Sequence, residues 1–249
     1  MVISKKIYFA SDQHFGAPTP QKSFPREQKF VSWLDTISKD AEALFLLGDL
    51  FDFWFEYKTV VPKGFVRVLG KLVELRDKGI PIYFFVGNHD LWMNDYFEKE
   101  LDIPVFYDNK EFTFNGKTFL IGHGDGKGPG DLGYKRMKKI FVHPFSKWLY
   151  RWLHPDIGMK LAQHLSVKNK LISGEEDVNF LGEDKEWLIL YTKRKLETKH
   201  YNYFVFGHRH LPMQLTVGEN SEYINLGDWI GYFTYGVFDG EQFELKEYK

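Results

Sequence analysis

The chain predicts an α/β protein, a four-layer α/β/β/α sandwich, and three observations carry that expectation. Apolar runs end repeatedly in polar tight turns. Helical patterns separate the first of these runs. A second set of short strand patterns follows a hairpin signal at Asn115-Gly116.

The first run, Ile7-Tyr8-Phe9-Ala10, stops at Ser11-Asp12. The second, Ala43 to Leu47, stops at Gly48-Asp49, and the third, Ile82 to Val86, at Gly87-Asn88. Unbroken apolar runs of this length read as strands buried on both faces, as in a sheet with helices on each side. Helical patterns fit Pro25 to Ser38 and Lys63 to Lys78, the latter stopped by Gly79 and Pro81, so βαβ units result. Asn115-Gly116 favours a type I′ turn. Further strands fit Phe204 to Phe206, Met213 to Val217, Tyr223 to Asn225, Tyr232 to Phe238 and Phe243 to Glu247, with Asp239-Gly240 turning the last pair. A helix fits Asp184 to His200. The polar turns cluster at strand carboxyl ends, where open α/β sheets present their ligand loops.

A chain of 249 residues accommodates one domain, 1–249, with an insertion at about 126–170. A net charge of −1 excludes a general polyanion binder, and no nucleic acid partner is expected. The absence of cysteine removes disulfides and thiolate sites, leaving His, Asp, Glu and Asn as ligands for Mn, Zn, Fe, Co or Mg. It also fits a reducing compartment. The first strand starts at about Ile7, which leaves no room for an export leader, and no apolar window is long enough to span a bilayer. A cytoplasmic chain is the expectation, with peripheral membrane association left open.

Five motifs punctuate this frame: Asp12-Gln13-His14, Gly48-Asp49, Gly87-Asn88-His89-Asp90, Gly122-His123-Gly124-Asp125 and Gly207-His208-Arg209-His210. Each is weak alone, because Gly-Asp and Gly-His are common in turns. Together they supply seven donors, enough for two metal ions about 3.5 to 4 Å apart, the arrangement that hydrolyses phosphate esters and anhydrides. Asp-x-His on an extended chain turns both side chains the same way. Gly48 permits a turn, and the two oxygens of Asp49 can bridge two ions. Asp90 either orients the His89 imidazole or caps the segment Leu91 to Phe97.

The motif set resembles the calcineurin-like metallophosphoesterase family, whose pattern is D-x-H, G-D, G-N-H-D/E, G-H and G-H-x-H, from Asp12 to His210. The resemblance implies two divalent ions, one held by Asp12, His14 and His210, the other by Asn88, His123 and His208, with Asp49 between them. His89 then protonates the leaving group or stabilises charge on the phosphoryl oxygens, with Asp90 beside it.

The insertion bears on substrate. From Gly126 to Lys170 it holds ten Lys or Arg against Asp131 and Asp156, a net charge of +8. Ile140, Phe141, Phe145, Trp148, Leu149, Trp152 and Leu153 fall at helical spacings, and a second helix fits Asp156 to Leu165 after a break at Pro155. One apolar stripe with basic flanks suits a lipid-handling helix, although such stripes are more often core. Here the chain also resembles the UDP-2,3-diacylglucosamine hydrolases of lipid A biosynthesis. The likeness rests on Gly48-Asp49-Leu50-Phe51-Asp52-Phe53-Trp54, His123-Gly124-Asp125 with Tyr134-Lys135-Arg136, Gly207-His208-Arg209-His210-Leu211-Pro212 and Leu226-Gly227-Asp228-Trp229. It implies a nucleotide-linked glycolipid substrate, manganese, and work at the cytoplasmic face of the inner membrane. Asp125, Arg136, Trp148, Trp152 and Arg209 are the expected substrate contacts. His89 departs from the Arg usual in that group, and Gly128-Pro129-Gly130-Asp131 replaces its Cys-Thr-Asp-Asp stretch. Rival expectations are a metallophosphoesterase for another nucleotide diphosphate, phosphodiester or phosphomonoester, and a non-catalytic metal-binding scaffold. Monomer and dimer are equally open, since the aromatic cap also suits a dimer patch.

Overall fold

The computed structural model describes residues 3–128, 132–162 and 179–249. Two sheets form the centre. The first sheet orders its strands β11-β10-β1-β2-β3-β4: Phe243–Glu247, Thr234–Phe238, Lys6–Ala10, Ala41–Leu46, Ile82–Phe85 and Val105–Phe106. The second orders β5-β6-β7-β9-β8: Lys110–Phe114, Lys117–Ile121, Tyr203–Phe206, Ser221–Leu226 and Pro212–Gly218. β1, β2 and β3 run parallel, as the βαβ pattern requires.

Side-chain alternation builds the layers. From β1 and β2, Tyr8, Ala10, Leu44 and Leu46 face the helices Pro20–Ile37 (α1) and Val66–Asp77 (α2), burying Phe30, Trp33, Val68 and Leu72. Their neighbours Ile7, Phe9, Ala43 and Phe45 face the second sheet and meet Phe119, Ile121, Val205 and Ile224. The far face of that sheet, with Leu120, Phe204, Phe206 and Tyr223, buries Leu188 and Ile189. Four layers result, as expected. The apolar runs are buried on both faces, but a sheet, not a helix, covers the second face of β1 to β3. Aromatic side chains fill both the helix-facing layer, with Phe30, Trp33, Phe51 and Trp54, and the inter-sheet layer, where Phe9 stacks on Phe45 at 5.1 Å and Phe119 meets Phe238 at 5.0 Å.

Several boundaries differ from the sequence expectation. α1 starts at Pro20, because Thr19 caps it by accepting from the Lys22 amide and Pro20 suits the first turn; Pro25 is carried inside. β10 starts at Thr234. A short helix, Tyr96–Glu100 (α3), and β4 arise where no periodicity is long enough to announce them. The cap stripe is split into two helices. Leu132–Val142 (α4) ends before Pro144, and Pro144–Arg151 (α5) begins there, with His143 Nδ1 accepting from the Phe145 amide at 3.2 Å. Residues 155–162 (α6) are helical with Pro155 opening the helix; the part of the expected helix beyond residue 162 lies outside the described residues, as do Lys168 and Lys170.

Among the described residues, no helix is long and apolar enough to cross a membrane.

Candidate metal centre

Each strand that ends at the rim hands its motif to a loop stitched to its neighbours by backbone bonds. The Asp12 amide donates to Gly48 O at 3.1 Å, His14 to Asp49 O at 2.9 Å, and Gly207 to His123 O at 3.0 Å. The extended-chain argument for Asp-x-His does not hold. Asp12, His14, Asp49, His208 and His210 have φ of 57°, 46°, 53°, 70° and 56°. Left-handed backbone costs a non-glycine residue roughly 1–2 kcal/mol, and it persists where surrounding contacts over-determine it, as at functional sites. Gly48 serves close approach as well as turning: a β-carbon there would lie 2.7 Å from His123 Nδ1 and from the Gly87 amide nitrogen.

The loops bring all seven expected ligands together as two clusters sharing Asp49. In one, His14 Nε2 and His210 Nε2 are 3.2 Å apart, and His210 Nε2 is 3.4 Å from Asp12 Oδ1. In the other, His123 Nε2 is 3.1 Å from Asn88 Oδ1, with the His208 ring 5.0 Å away. Asp49 Oδ2 faces both, 3.7 Å from His14 Nε2 and 3.4 Å from His123 Nε2. Its Oδ1 instead accepts from the His89 amide at 2.8 Å. A single oxygen therefore stands between the clusters, not the two that the sequence argument invoked. Asp12 repeats the device: Oδ2 accepts from the His208 amide at 2.9 Å, while Oδ1 is buried with no hydrogen-bond partner.

These donors fit a pair of divalent ions. Atoms bound at about 2.1 Å around an octahedral or tetrahedral ion are about 3.0 to 3.4 Å apart, close to the separations here. The unpartnered Asp12 Oδ1 points the same way. Tautomers agree too. His123 Nδ1 lies 2.7 Å from Leu47 O, an acceptor only, so that nitrogen carries a proton and Nε2 is the donor to metal. His210 Nδ1 lies 3.2 Å from Asp228 Oδ2, a carboxylate–histidine pair of the kind that orients metal ligands.

The buried groups of the cluster set one another's protonation. Burial works against the Asp49 charge, yet His123 and His89 hold its carboxyl well below the usual range. Burial likewise opposes a proton on His123, but Asp49 and Asp12 raise its pKa to about 10. His208 falls to about 4 through burial and the neighbouring His123, so the imidazole is neutral, as a metal ligand must be. Burial and Asp49 push Asp90 well above the carboxylate range.

The remaining expected residues are placed less simply. Asp90 accepts from the Leu50 and Phe51 amides at 3.3 and 3.4 Å, bracing the Asp49 loop. The His89 imidazole is oriented instead by Asp52, whose carbonyl accepts from Nδ1 at 2.7 Å. Asp52 Oδ1 also lies 3.5 Å from His14 Nδ1. Asp125 accepts from Tyr134 Oη and Lys138 Nζ, both at 2.5 Å, tying α4 to the His123 loop. Arg209 is engaged by Glu186 at 3.1 Å and by Asn179 O at 2.5 Å. Arg136, Trp148 and Trp152 are exposed on the cap, Trp152 at 74%. Trp187 is half-exposed, although a core or cap-floor position suits its size; Trp33, Phe51 and Trp54 do lie in the core.

Asp52, Asp228 and Glu186 have site contacts that the motif reading did not assign. Asp228 had a signal, since Leu226-Gly227-Asp228 repeats the strand–Gly–Asp pattern; Asp52 and Glu186 had none beyond neighbourhood.

Residues 5–212 match the calcineurin-like phosphoesterase family. A Porphyromonas gingivalis protein named UDP-2,3-diacylglucosamine hydrolase is 36% identical over 255 residues, covering 97% of this chain and 97% of its own. Another of that name, from Histophilus somni, is 27% identical over 231 residues, covering 90% and 92%.

Proposed function

We propose that this chain, which belongs to the calcineurin-like phosphoesterase family, hydrolyses the pyrophosphate of UDP-2,3-diacylglucosamine to UMP and 2,3-diacylglucosamine 1-phosphate. The observation that carries the reading is the attachment of an apolar, basic cap to a ligand loop. Asp125, two residues after His123, holds Tyr134 and Lys138 of α4. Beyond that anchor the cap leaves Phe145, Trp148, Leu149 and Trp152 in solvent, with Lys139 exposed and Lys147 and Arg151 half-buried on the same helices. A phosphorylated head at the rim and acyl chains on the cap suit this arrangement, and the names of the two relatives support it.

When bound, a pair of divalent ions, which we propose to be manganese, supplies water of lowered pKa and draws charge from phosphoryl oxygens. Asp12, His14 and His210 would hold one and Asn88, His123 and His208 the other, with Asp49 between. The Nδ1–H of His89 donates to the Asp52 carbonyl, so Nε2 faces the rim, and in the imidazolium form its second proton would go to the leaving oxygen or stabilise developing charge. The basic flanks of the cap favour an anionic lipid surface, which fits peripheral work at the cytoplasmic face of the inner membrane.

The deciding experiment is UMP release from the diacylated substrate by manganese-loaded protein, beside UDP-N-acetylglucosamine and bis(p-nitrophenyl) phosphate. Fast turnover of the acylated substrate alone supports the reading. Turnover only of the simple diester refutes it in favour of another phosphoesterase substrate, and no turnover at all favours a scaffold.

A further inference from the structure

The start of the helix Trp187–Leu196 (α7) is wedged between two ligand loops, and three successive residues each meet one part of the rim. The Glu186 carboxylate, 3% exposed, grips Arg209 between ligands His208 and His210, through Oε2 at 3.1 Å and Oε1 at 3.2 Å. Leu188 fills the space beside Gly124, its methyls 3.0 and 3.2 Å from where a β-carbon would stand. Between them Trp187 lies against Gly128, five residues beyond His123, its ring atoms starting 2.6 Å from where a β-carbon would stand there.

Trp187 is nevertheless 49% exposed. Its backbone is tied down on both sides, so the exposure is not that of a loose loop. Among the described residues it stacks on no other ring, and it stands apart from the Phe145–Trp148–Trp152 series of the cap. Cationic side chains reach the loop it covers: Lys135 donates to Gly128 O at 2.6 Å and Arg194 to Lys127 O at 3.3 Å. A fixed, half-open indole against a loop that two cationic side chains reach, five residues beyond His123, has the chemistry of a platform for the flat base of a phosphate-bearing ligand.

We infer that Trp187 is the platform on which the nucleobase of the substrate's nucleotide half stacks, with the acyl half against α5. This rests on the nucleotide-lipid reading above. Stacking of one base on an aromatic side chain is worth about 5- to 100-fold in affinity.

The test is UMP binding to the manganese-loaded protein by calorimetry, with ribose 5-phosphate as the ligand lacking a base. Wild-type protein should prefer UMP. Trp187→Ala should lose about 5- to 100-fold in UMP affinity, Trp187→Phe about threefold or less, and neither should change affinity for ribose 5-phosphate or manganese. A Trp187→Ala protein that keeps its preference for UMP overturns the platform, as does equal weakening toward both ligands, which would mark a structural role. Wild-type protein that binds UMP no better than ribose 5-phosphate overturns the nucleotide reading itself, and the platform with it.

Discussion

At the rim, imidazoles and carboxylates are buried, each held by hydrogen bonds that settle its orientation; on the cap, tryptophan and phenylalanine stand in solvent. Asp12 and His14 are fully buried and Asp49 is 1% exposed, whereas neither α4 nor α5 contains a buried residue. Polarity is inverted relative to a folded core, and each inversion has a cost. Buried ionisable groups lose hydration, and an exposed tryptophan forgoes the roughly 1.5–3 kcal/mol that burial of a large apolar side chain contributes. The rim offsets its cost with backbone donors and mutual charge. The cap has little such compensation, being held by Asp125 and by Tyr150, which packs on Trp92 at 4.5 Å and Phe55 at 4.6 Å. On the function proposed above, burial follows the chemistry of each region: cations and phosphate at the rim, an apolar partner at the cap.

The comparison breaks most sharply at Asp49. Asp49→Ala removes the one oxygen facing both clusters, so metal-dependent hydrolysis should fall below detection while circular dichroism reports an unchanged fold; His123→Ala should do the same. Retained turnover in either variant would show that the two clusters do not act as one site. His89→Ala should lower kcat by about 10² to 10⁴ with metal content intact, the range of general acid catalysis. Loss of manganese by that variant would make His89 a ligand instead.

The carboxylate behind His210 gives a smaller effect. Asp228→Ala should weaken metal binding about 10- to 100-fold, as loss of a ligand-orienting partner does. Proton release sharpens the same point. His123 holds a proton up to about pH 10, and a ligating imidazole must give it up, so metal uptake at pH 8 should expel it. Apparent affinity then rises with pH, by up to about tenfold per pH unit for each proton released, and calorimetry in buffers of different ionisation enthalpy counts those protons. No release would mean either that His123 does not ligate or that its imidazole is already neutral at pH 8.

The cap is expected to give the smallest effects. Trp148→Ala and Trp152→Ala should raise KM severalfold for the acylated substrate only, with Tm shifted little because both side chains are exposed. If acylated and acyl-free UDP-sugars lose activity in the same ratio, the apolar face has another use, such as contact with a second copy of the chain.

Much of the fold was legible. The runs at Ile7, Ala43 and Ile82 became parallel strands, and Asn115-Gly116 joins β5 to β6. The covering of the first sheet by a second was not visible in those runs, because an apolar face carries no mark of whether helix or strand packs on it. The cap stripe misled as one helix because spacing survives across His143-Pro144 while the hydrogen-bond ladder does not. At the site, all seven candidate metal ligands stood in the motifs, whereas Arg209, expected as a substrate contact, is engaged by Glu186, 23 residues earlier.

What the sequence by itself determined is therefore the inventory and its rough address: short apolar runs make strands, glycine-bearing turns end them, and the donors ride on those turns, all of it local chemistry. Tertiary structure alone decided which oxygen of Asp49 faces both donor clusters, which imidazole nitrogen each histidine offers, and that Asp52 and Asp228 stand behind them. Those outcomes depend on contacts such as His14 with His210, 196 residues apart, which exist only once both sheets have packed and the loops are forced into left-handed backbone that no local preference would choose.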